Sequence, residues 1–157
     1  MMKNGDYGYN LVICEEKLIP VIKKIADKHM DSTFEIEKKG HGNFVTSADK
    51  AMEQDLIEQL HDLVPKAGFI VEESGEDSKS ELNWVIDPID GTTNFIYGLP
   101  YAVLVALMTP ETGRTLLGVV YSPKTEKVIL RMSRTREFRN REWNKKTSQC
   151  CNVIKLR

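Results

Sequence analysis

The most informative part of this chain is a run of twelve residues, Trp84-Val85-Ile86-Asp87-Pro88-Ile89-Asp90-Gly91-Thr92-Thr93-Asn94-Phe95. Its apolar start is typical of the end of a buried strand. Aspartate and proline at the first two positions of a four-residue turn favour a type I turn. The sequence therefore predicts that the strand reverses at Asp87, that Asp87 and Asp90 converge, and that the Ile89 carbonyl has no partner in the sheet.

Two converging carboxylates point to a cation site. They repel each other, and a hard divalent cation with oxygen ligands, such as Mg²⁺, relieves that repulsion. If Thr92 begins a helical turn, its free N–H groups offer an anion site beside the cation, and Gly91 permits close approach of a ligand to the backbone. The run thus predicts a metal and phosphate site. A solvated Asp-Pro turn followed by a helix cap is the alternative interpretation.

The composition restricts the class of protein. The 157 residues are 41% hydrophobic, enough for one domain with a core. No stretch approaches the roughly 20 apolar residues of a membrane span, and the first residues lack the apolar run of a signal peptide. The three cysteines fit neither a disulfide framework nor a zinc site. We expect a cytoplasmic protein with no membrane association.

The net charge of −1 hides an asymmetry along the chain. Residues 131–157 contain nine Lys or Arg and two Glu, a charge of +7, which leaves −8 for residues 1–130. An acidic body favours divalent cations over nucleic acid as ligands.

The first part of the chain has helical periodicity. Apolar residues between Leu11 and Ala26 predict an amphipathic helix that Pro20 should kink or split. A second helix is expected to be capped by Thr46 or Ser47 and to end before Pro65, with Asp49 in its first turn near the positive end of the helix dipole.

Strand patterns dominate the rest. The strand 69–71 delivers Glu72 and Glu73, and alternation allows only one of them to face Asp87 and Asp90. Residues 74–82 are expected to form a mobile surface loop. The apolar runs 101–109 and 115–122 predict a hairpin, followed by a strand at 127–130. Two helices followed by consecutive strands predict an α+β fold with a largely antiparallel sheet.

The motifs of this chain resemble those of the inositol monophosphatase family of magnesium-dependent sugar-phosphate phosphatases. The run from Asp87 to Phe95 is similar to the main signature of that family. The segments at 68–74, 43–49, 98–101 and 118–123 also fit in order and spacing. The resemblance covers roughly residues 10–130. It implies the first half of the layered inositol monophosphatase/fructose-bisphosphatase fold.

The resemblance also implies roles for individual residues. The implied metal ligands, for two Mg²⁺ ions, are Glu72, Asp87, Ile89 through its carbonyl, Asp90 and the more distal Asp49. The implied catalytic residues, which orient the attacking water, are Glu72 and Thr92. The implied substrate-binding residues are Asp90, Gly91, Thr92 and Lys38. For Lys38, an ordinary solvated lysine is the alternative.

The implied reaction is hydrolysis of a phosphate monoester such as inositol monophosphate by a metal-activated water. One alternative is a nucleotide or sugar bisphosphate phosphatase of the same superfamily. An alternative from another class is a non-catalytic metal-binding fragment or partner subunit. The expected partner is a small phosphorylated polyol or sugar, with a homodimer for a complete chain, and nucleic acid is not expected.

The pattern changes after Leu130. Residues 131–157 keep no hydrophobic period, whereas the family continues into a second half that contributes another metal-ligand aspartate, and this chain has no aspartate after Asp90. We therefore interpret residues 1–130 as the N-terminal half of such a domain and residues 131–157 as an aberrant basic tail, disordered or produced by truncation or frameshift. A functional basic arm that binds nucleic acid or an anionic surface is the alternative. The chain alone is expected to be weakly active or inactive.

Overall fold

The computed structural model describes residues 6–40, 44–72, 75–77, 80–132 and 152–155. The three α-helices of these residues are Asp6–Met30 (α1), Ser47–Leu63 (α2) and Thr92–Ile96 (α3), and a 3-10 helix spans Pro123–Thr125. Their strands are Ile36–Lys38 (β1), Phe44–Thr46 (β2), Gly68–Val71 (β3), Gly75–Asp77 (β4), Asn83–Asp90 (β5), Ala102–Thr109 (β6), Arg114–Ser122 (β7), Lys127–Met132 (β8) and Asn152–Lys155 (β9).

Seven of the strands form one sheet in the order β4-β3-β5-β6-β7-β8-β9, and β1 pairs with β2 in a separate hairpin. Only β3 and β5 pair in parallel among these strands; all other pairings are antiparallel. The predicted α+β fold with a largely antiparallel sheet is confirmed, as is the hairpin, which is β6 and β7.

Both long helices follow their sequence signals, with one exception. Thr46 caps α2, its hydroxyl accepting a hydrogen bond from the Asp49 backbone N–H at 3.3 Å, and α2 ends at Leu63, before Pro65. Pro20 was expected to kink or split the first helix; the split is wrong, because α1 continues through it, and the kink stays a prediction. Pro20 is exposed, while Leu18 and Ile22 on either side are fully buried, so tertiary packing holds the helix together.

The two long helices cover one face of the sheet, α1 against β7 and α2 against β5. The core between them is built from fully or almost fully buried apolar side chains: Leu18, Ile22, Met52, Leu56, Leu60, Trp84, Ile86, Val105, Val119 and Tyr121. Alternate strand residues point to the other face, which is half-exposed. A shallow groove of about 350 Å³ lies on that face, with Val85, Leu104, Val120 and Ile129 among its lining residues.

A polar contact ties α1 to α2. Asp55 Oδ2 accepts a hydrogen bond from Lys28 Nζ at 2.7 Å and lies 2.7 Å from His29 Nε2. Burial alone raises the pKa of Asp55, but the hydrogen bonds to Lys28 and His29 outweigh it and hold that pKa below its usual value.

The structure differs from the sequence predictions at two places in the sheet. The segment 74–82, expected to be a loop, contains β4 paired with β3; residues 73–74 and 78–79 lie outside the described residues. In the predicted basic tail, Arg131 and Met132 extend β8, and β9 pairs beside β8. Residues 133–151 and 156–157 lie outside the described residues, and the domain division at residue 130 stays a prediction. None of the described helices is long and apolar enough to cross a membrane.

Candidate active site

The parallel pairing of β3 with β5 brings the first two carboxylates together. Val71 is opposite Ile86, so Glu72 and Asp87 follow as neighbours at the carboxyl ends of the two strands. A hydrogen bond joins their side chains. The structure thus places Glu72 where the sequence analysis expected it; Glu73 lies outside the described residues.

The segment 87–90 is a bulged strand, not a type I turn. In the pairing of β5 with β6, Asp87 is opposite Leu104 and Asp90 is opposite Ala102, so three steps on β5 match two on β6. Leu104 and Ala102 point to the same face of the sheet. Because β5 has one extra residue here, Asp87 lies opposite Leu104 and Asp90 lies opposite Ala102. The predicted reversal is therefore wrong, because the β6 edge supplies pairing on both sides of Pro88, and the local turn preference does not prevail.

The charges of the site raise the pKa of one of its carboxyls. Burial is the main cause that raises the pKa of Asp87 to about 7, with further contributions from the charge of Glu72, the hydrogen bond with Glu72 and the charge of Asp90. A backbone hydrogen bond with Ile89 acts in the opposite direction. The raised pKa means that the charged form of Asp87 is disfavoured by its surroundings, and a cation in the site would favour it.

Asp87 also has an oxygen without a partner. Its Oδ1 is buried and makes no hydrogen bond. A buried oxygen left in this way costs free energy that a bound cation recovers, and carboxylate and carbonyl oxygens are the ligands that Mg²⁺ prefers. The donor set of Glu72, Asp87, Asp90 and the Ile89 carbonyl fits such an ion. However, no group of three or more carboxylate, imidazole or thiol side chains is gathered around one point among the described residues.

Asp49 and Thr92 form a second cluster next to the first. Asp49 is buried at 3% exposure, and its Oδ2 accepts hydrogen bonds from the Thr46 N–H at 2.7 Å and the Thr46 hydroxyl at 2.6 Å. Its Oδ1 accepts from the Thr92 hydroxyl at 3.2 Å, and the same hydroxyl lies 3.2 Å from the Ile89 carbonyl oxygen. The Ile89 carbonyl, expected to have no partner in the sheet, thus lies within hydrogen-bond distance of the Thr92 hydroxyl. Asp49 lies in the first turn of α2, as predicted, where it completes a capping box with Thr46, and its role as a metal ligand stays a prediction.

Helix α3 begins at Thr92, as predicted, after Gly91. Gly91 has φ +95°, and its conformation rather than crowding requires glycine, since an added Cβ would meet only the Asn94 side chain at 3.6 Å or more. Phe95 anchors the helix, with its ring centroid 5.0 Å from both the Phe34 and the Tyr101 rings. This aromatic anchor holds the Gly91–Thr92 backbone beside the carboxylates.

One further residue of the predicted substrate site is Lys38. Lys38 is exposed at the end of β1, opposite Phe44, and its predicted contact with phosphate stays a prediction.

The hydrogen bond between Asp49 and Thr92 was not foreseen, since 43 residues separate the two in sequence. The aromatic anchor was also missed, because no local pattern links residues so far apart.

Comparisons with known proteins agree with the geometry. A model of the inositol monophosphatase family matches residues 10–154. The Nus factor SuhB of Pasteurella multocida is 47% identical over 88 residues, covering 54% of this chain and 32% of the relative. The inositol-1-monophosphatase of Mesorhizobium japonicum is 37% identical over 97 residues, covering 60% of this chain and 36% of the relative.

A solved structure of an inositol monophosphatase/NADP phosphatase complexed with Mg²⁺ and phosphate superposes with a TM-score of 0.62 and 26% identity. The superposed region covers 77% of this chain and 46% of the chain in that structure. The chain thus spans about a third of the length of the two curated relatives and just under half of the solved structure.

Proposed function

The chain belongs to the inositol monophosphatase family, and from that premise we propose that it serves the Mg²⁺-dependent hydrolysis of a phosphate monoester such as inositol monophosphate. The observation that carries the proposal is the pairing of Glu72 with Asp87, whose buried Oδ1 has no partner. The cytoplasm is the proposed compartment. The relative complexed with Mg²⁺ and phosphate supports the choice of cation and ligand.

We assign the residues as follows. Glu72, Asp87, Asp90 and the Ile89 carbonyl hold the Mg²⁺, with Asp49 as a more distal carboxylate. When bound there, Mg²⁺ would supply acidification of the attacking water and compensation of the phosphate charge. The backbone amides of Gly91 and Thr92 bind the phosphate oxygens.

Thr92 and Glu72 orient the attacking water. The Thr92 hydroxyl donates its proton toward Asp49, so its oxygen is left as an acceptor for a water proton. Glu72 is exposed at the end of β3, within reach of a water and hydrogen-bonded to Asp87. Lys38 adds positive charge near the phosphate. A small phosphorylated polyol or sugar is the proposed substrate, and a nucleotide is the alternative that the NADP phosphatase relative favours.

A second candidate function is that of a non-catalytic partner subunit. Its support is the name of the Pasteurella multocida relative, a Nus factor, which is the more similar of the two curated relatives in sequence. On this view the family fold serves binding, with a nucleic acid or a protein as the partner.

An assay on inositol monophosphate with and without Mg²⁺ tests the catalytic proposal. We expect weak Mg²⁺-dependent turnover by this chain. A chimera in which residues after Leu130 are replaced by the C-terminal half of a complete family member should turn over at least about 100-fold faster, since misplacement of reacting groups by ~1 Å costs about that much in rate. Asp90→Asn should abolish turnover in the chimera.

Two results would contradict this proposal. Mg²⁺-independent turnover of equal rate would contradict the Mg²⁺ requirement. A chimera that stays inactive while folded would favour the partner-subunit candidate. Comparable turnover by the chain and the chimera would show that the first half suffices.

A further inference from the structure

The outer face of the seven-stranded sheet, which is the face turned away from α1 and α2, is apolar and half-exposed. Leu104 and Val120 are half-buried on this face, and Ile129 is 42% exposed. Their sequence neighbours Val105 and Val119 point to the helices and are at most 2% exposed. A continuous apolar surface of this kind commonly marks a binding site for another protein surface.

The side chains of the outer face form two adjacent rows that differ in size. Strand pairing puts Leu104, Val120 and Ile129 side by side, and we call them the ridge row. Ala106 and Gly118 lie side by side next to them, and we call these two the trough row. Both rows line the groove of about 350 Å³ described above. A row of large side chains therefore runs directly beside a row of small ones.

We propose that two copies of this chain associate through their outer faces, with the ridge row of each copy packed into the trough row of the other. A twofold axis that runs across the strands, between the two rows, exchanges their positions. It brings Leu104 over Ala106 of the other copy and Val120 over Gly118 of the other copy. The two sheets then stack with their strands nearly aligned, as in a β-sandwich.

The outer face is large enough for such a pair. Strands β3 and β5 to β8 lie ~4.8 Å apart and rise ~3.4 Å per residue, so together they offer about 600 Å² per copy. The pair would bury about 1,200 Å², the lower limit of a standard stable interface. We therefore expect a dimer with a micromolar Kd.

The charges of the chain do not oppose this association. The net charge is −1, so two copies repel each other little. Arg131, which pairs with Gly118 and is exposed, lies at the end of the trough row. The same twofold axis brings its apolar stem over Ile129 of the other copy, while its guanidinium group reaches water at the edge.

The association is measured by analytical ultracentrifugation of the full chain over a range of concentrations. The buffer contains no Mg²⁺, so the result does not depend on the proposed function. We expect the mass to rise with concentration from that of one chain to that of two, and no further, because a twofold interface is closed.

Filling the trough row is the decisive variant. A Cβ at Gly118 would meet only Thr115 Cγ2, at 3.6 Å, and a β-branched residue suits a strand, so Gly118→Val should fold. In the dimer, the new side chain would overlap Val120 of the other copy at two symmetric places, and the Kd should rise at least about tenfold. Adding Val120→Ala to this variant should recover most of the affinity, because a large residue again faces a small one.

A second variant tests the edge of the interface. Ile129→Lys replaces an exposed residue and brings a positive charge next to Arg131 of the other copy, so the Kd should also rise at least about tenfold. Ile36→Lys is the matched control, since Ile36 is 53% exposed but lies in the separate β1–β2 hairpin. It should leave the Kd unchanged. Melting curves establish that each variant is folded.

Several results would overturn this proposal. A parent that stays monomeric at all concentrations would mean that the face is covered by the same chain or serves another partner. Growth beyond a dimer would indicate an open contact. Equal or tighter association of Gly118→Val would show that the chain adheres through apolar area alone, because this variant adds apolar surface. A dimer that tolerates Ile129→Lys would place the interface elsewhere.

Discussion

Asp55 and Asp87 are two partly buried aspartates with opposite surroundings. Asp55, between α1 and α2, has Lys28 and His29 within 2.7 Å of one oxygen, and its pKa is lowered. Asp87, between β3 and β5, has Glu72 and Asp90 as its charged neighbours, and its pKa is raised to about 7. Burial acts in the same direction on both, so the difference comes from their neighbours.

This difference separates a structural carboxylate from one arranged for a ligand. The charge of Asp55 is compensated within the protein, where it joins two helices. The charge of Asp87 is opposed by the protein, and its buried Oδ1 has no partner. A protein gains no stability from such an arrangement unless something else supplies the positive charge. The next three predictions test whether the two aspartates differ in this way.

The largest expected difference is the response to Mg²⁺. A ligand that binds only the folded state at a hundredfold excess over its Kd stabilises it by about 2.7 kcal/mol, which raises the Tm by several degrees. Asp90→Asn should remove most of this gain, whereas Asp55→Asn should keep it. Differential scanning calorimetry with and without Mg²⁺ measures the effect. An equal rise in Tm with Mg²⁺ in the parent and in Asp90→Asn would contradict the distinction between the two aspartates.

The pH dependence of the metal-free chain is expected to be smaller. The folded-state pKa of Asp87, about 7, lies above its ordinary value of 3.8, so its contribution to stability is fully present below pH 3.8 and is lost as pH rises through 7. We expect a fall of about 1–2 kcal/mol between pH 4 and pH 8, since Asp87 is only partly buried. Asp87→Asn should flatten this slope, as measured by urea unfolding. A slope of the same size in that variant would contradict the assignment.

The smallest expected effect is that of Asp55→Asn. Because the pKa of Asp55 is lowered, its contribution is present above its ordinary pKa and is lost as pH falls through the folded-state value. Its side chain is 26% exposed and that of Lys28 is 63% exposed, so we expect a loss of only about 1 kcal/mol at pH 7. Asp62→Asn, at an exposed position on the same helix, is the matched control and should change urea unfolding little. An increase in the free energy of unfolding in Asp55→Asn would contradict the stabilising role assigned to Asp55.

The sequence analysis succeeded where signals are local. The cap at Thr46 and the stop before Pro65 define α2, and alternation with turn residues defines the β6–β7 hairpin. The placement of Glu72 beside Asp87 was expected from the resemblance to the family. In the structure it results from two neighbouring parallel strands that end at one edge. In each case the residues that determine the structure lie within one or two elements of each other.

It failed where a tertiary contact overrides a local preference. The segment 87–90 has the composition of a turn, but pairing with Ala102 and Leu104 keeps it in the sheet as a bulge. Pro20 did not split α1 because buried neighbours hold that helix on the core. The hydrogen bond from Thr92 to Asp49 joins two elements whose proximity no sequence pattern specifies.

The strand order has a consequence for how the protein is made. From β5 onward each strand pairs with the next one in the chain, so each hairpin can form as soon as its second strand leaves the ribosome. Strand β3 pairs with β4, which follows it directly, but its second pairing needs the later strand β5. The four carboxylates of the candidate site, Asp49, Glu72, Asp87 and Asp90, therefore emerge during translation before β6, the strand that pairs along β5 and around its bulge. In the nascent chain, the acidic cluster precedes the sheet that holds it.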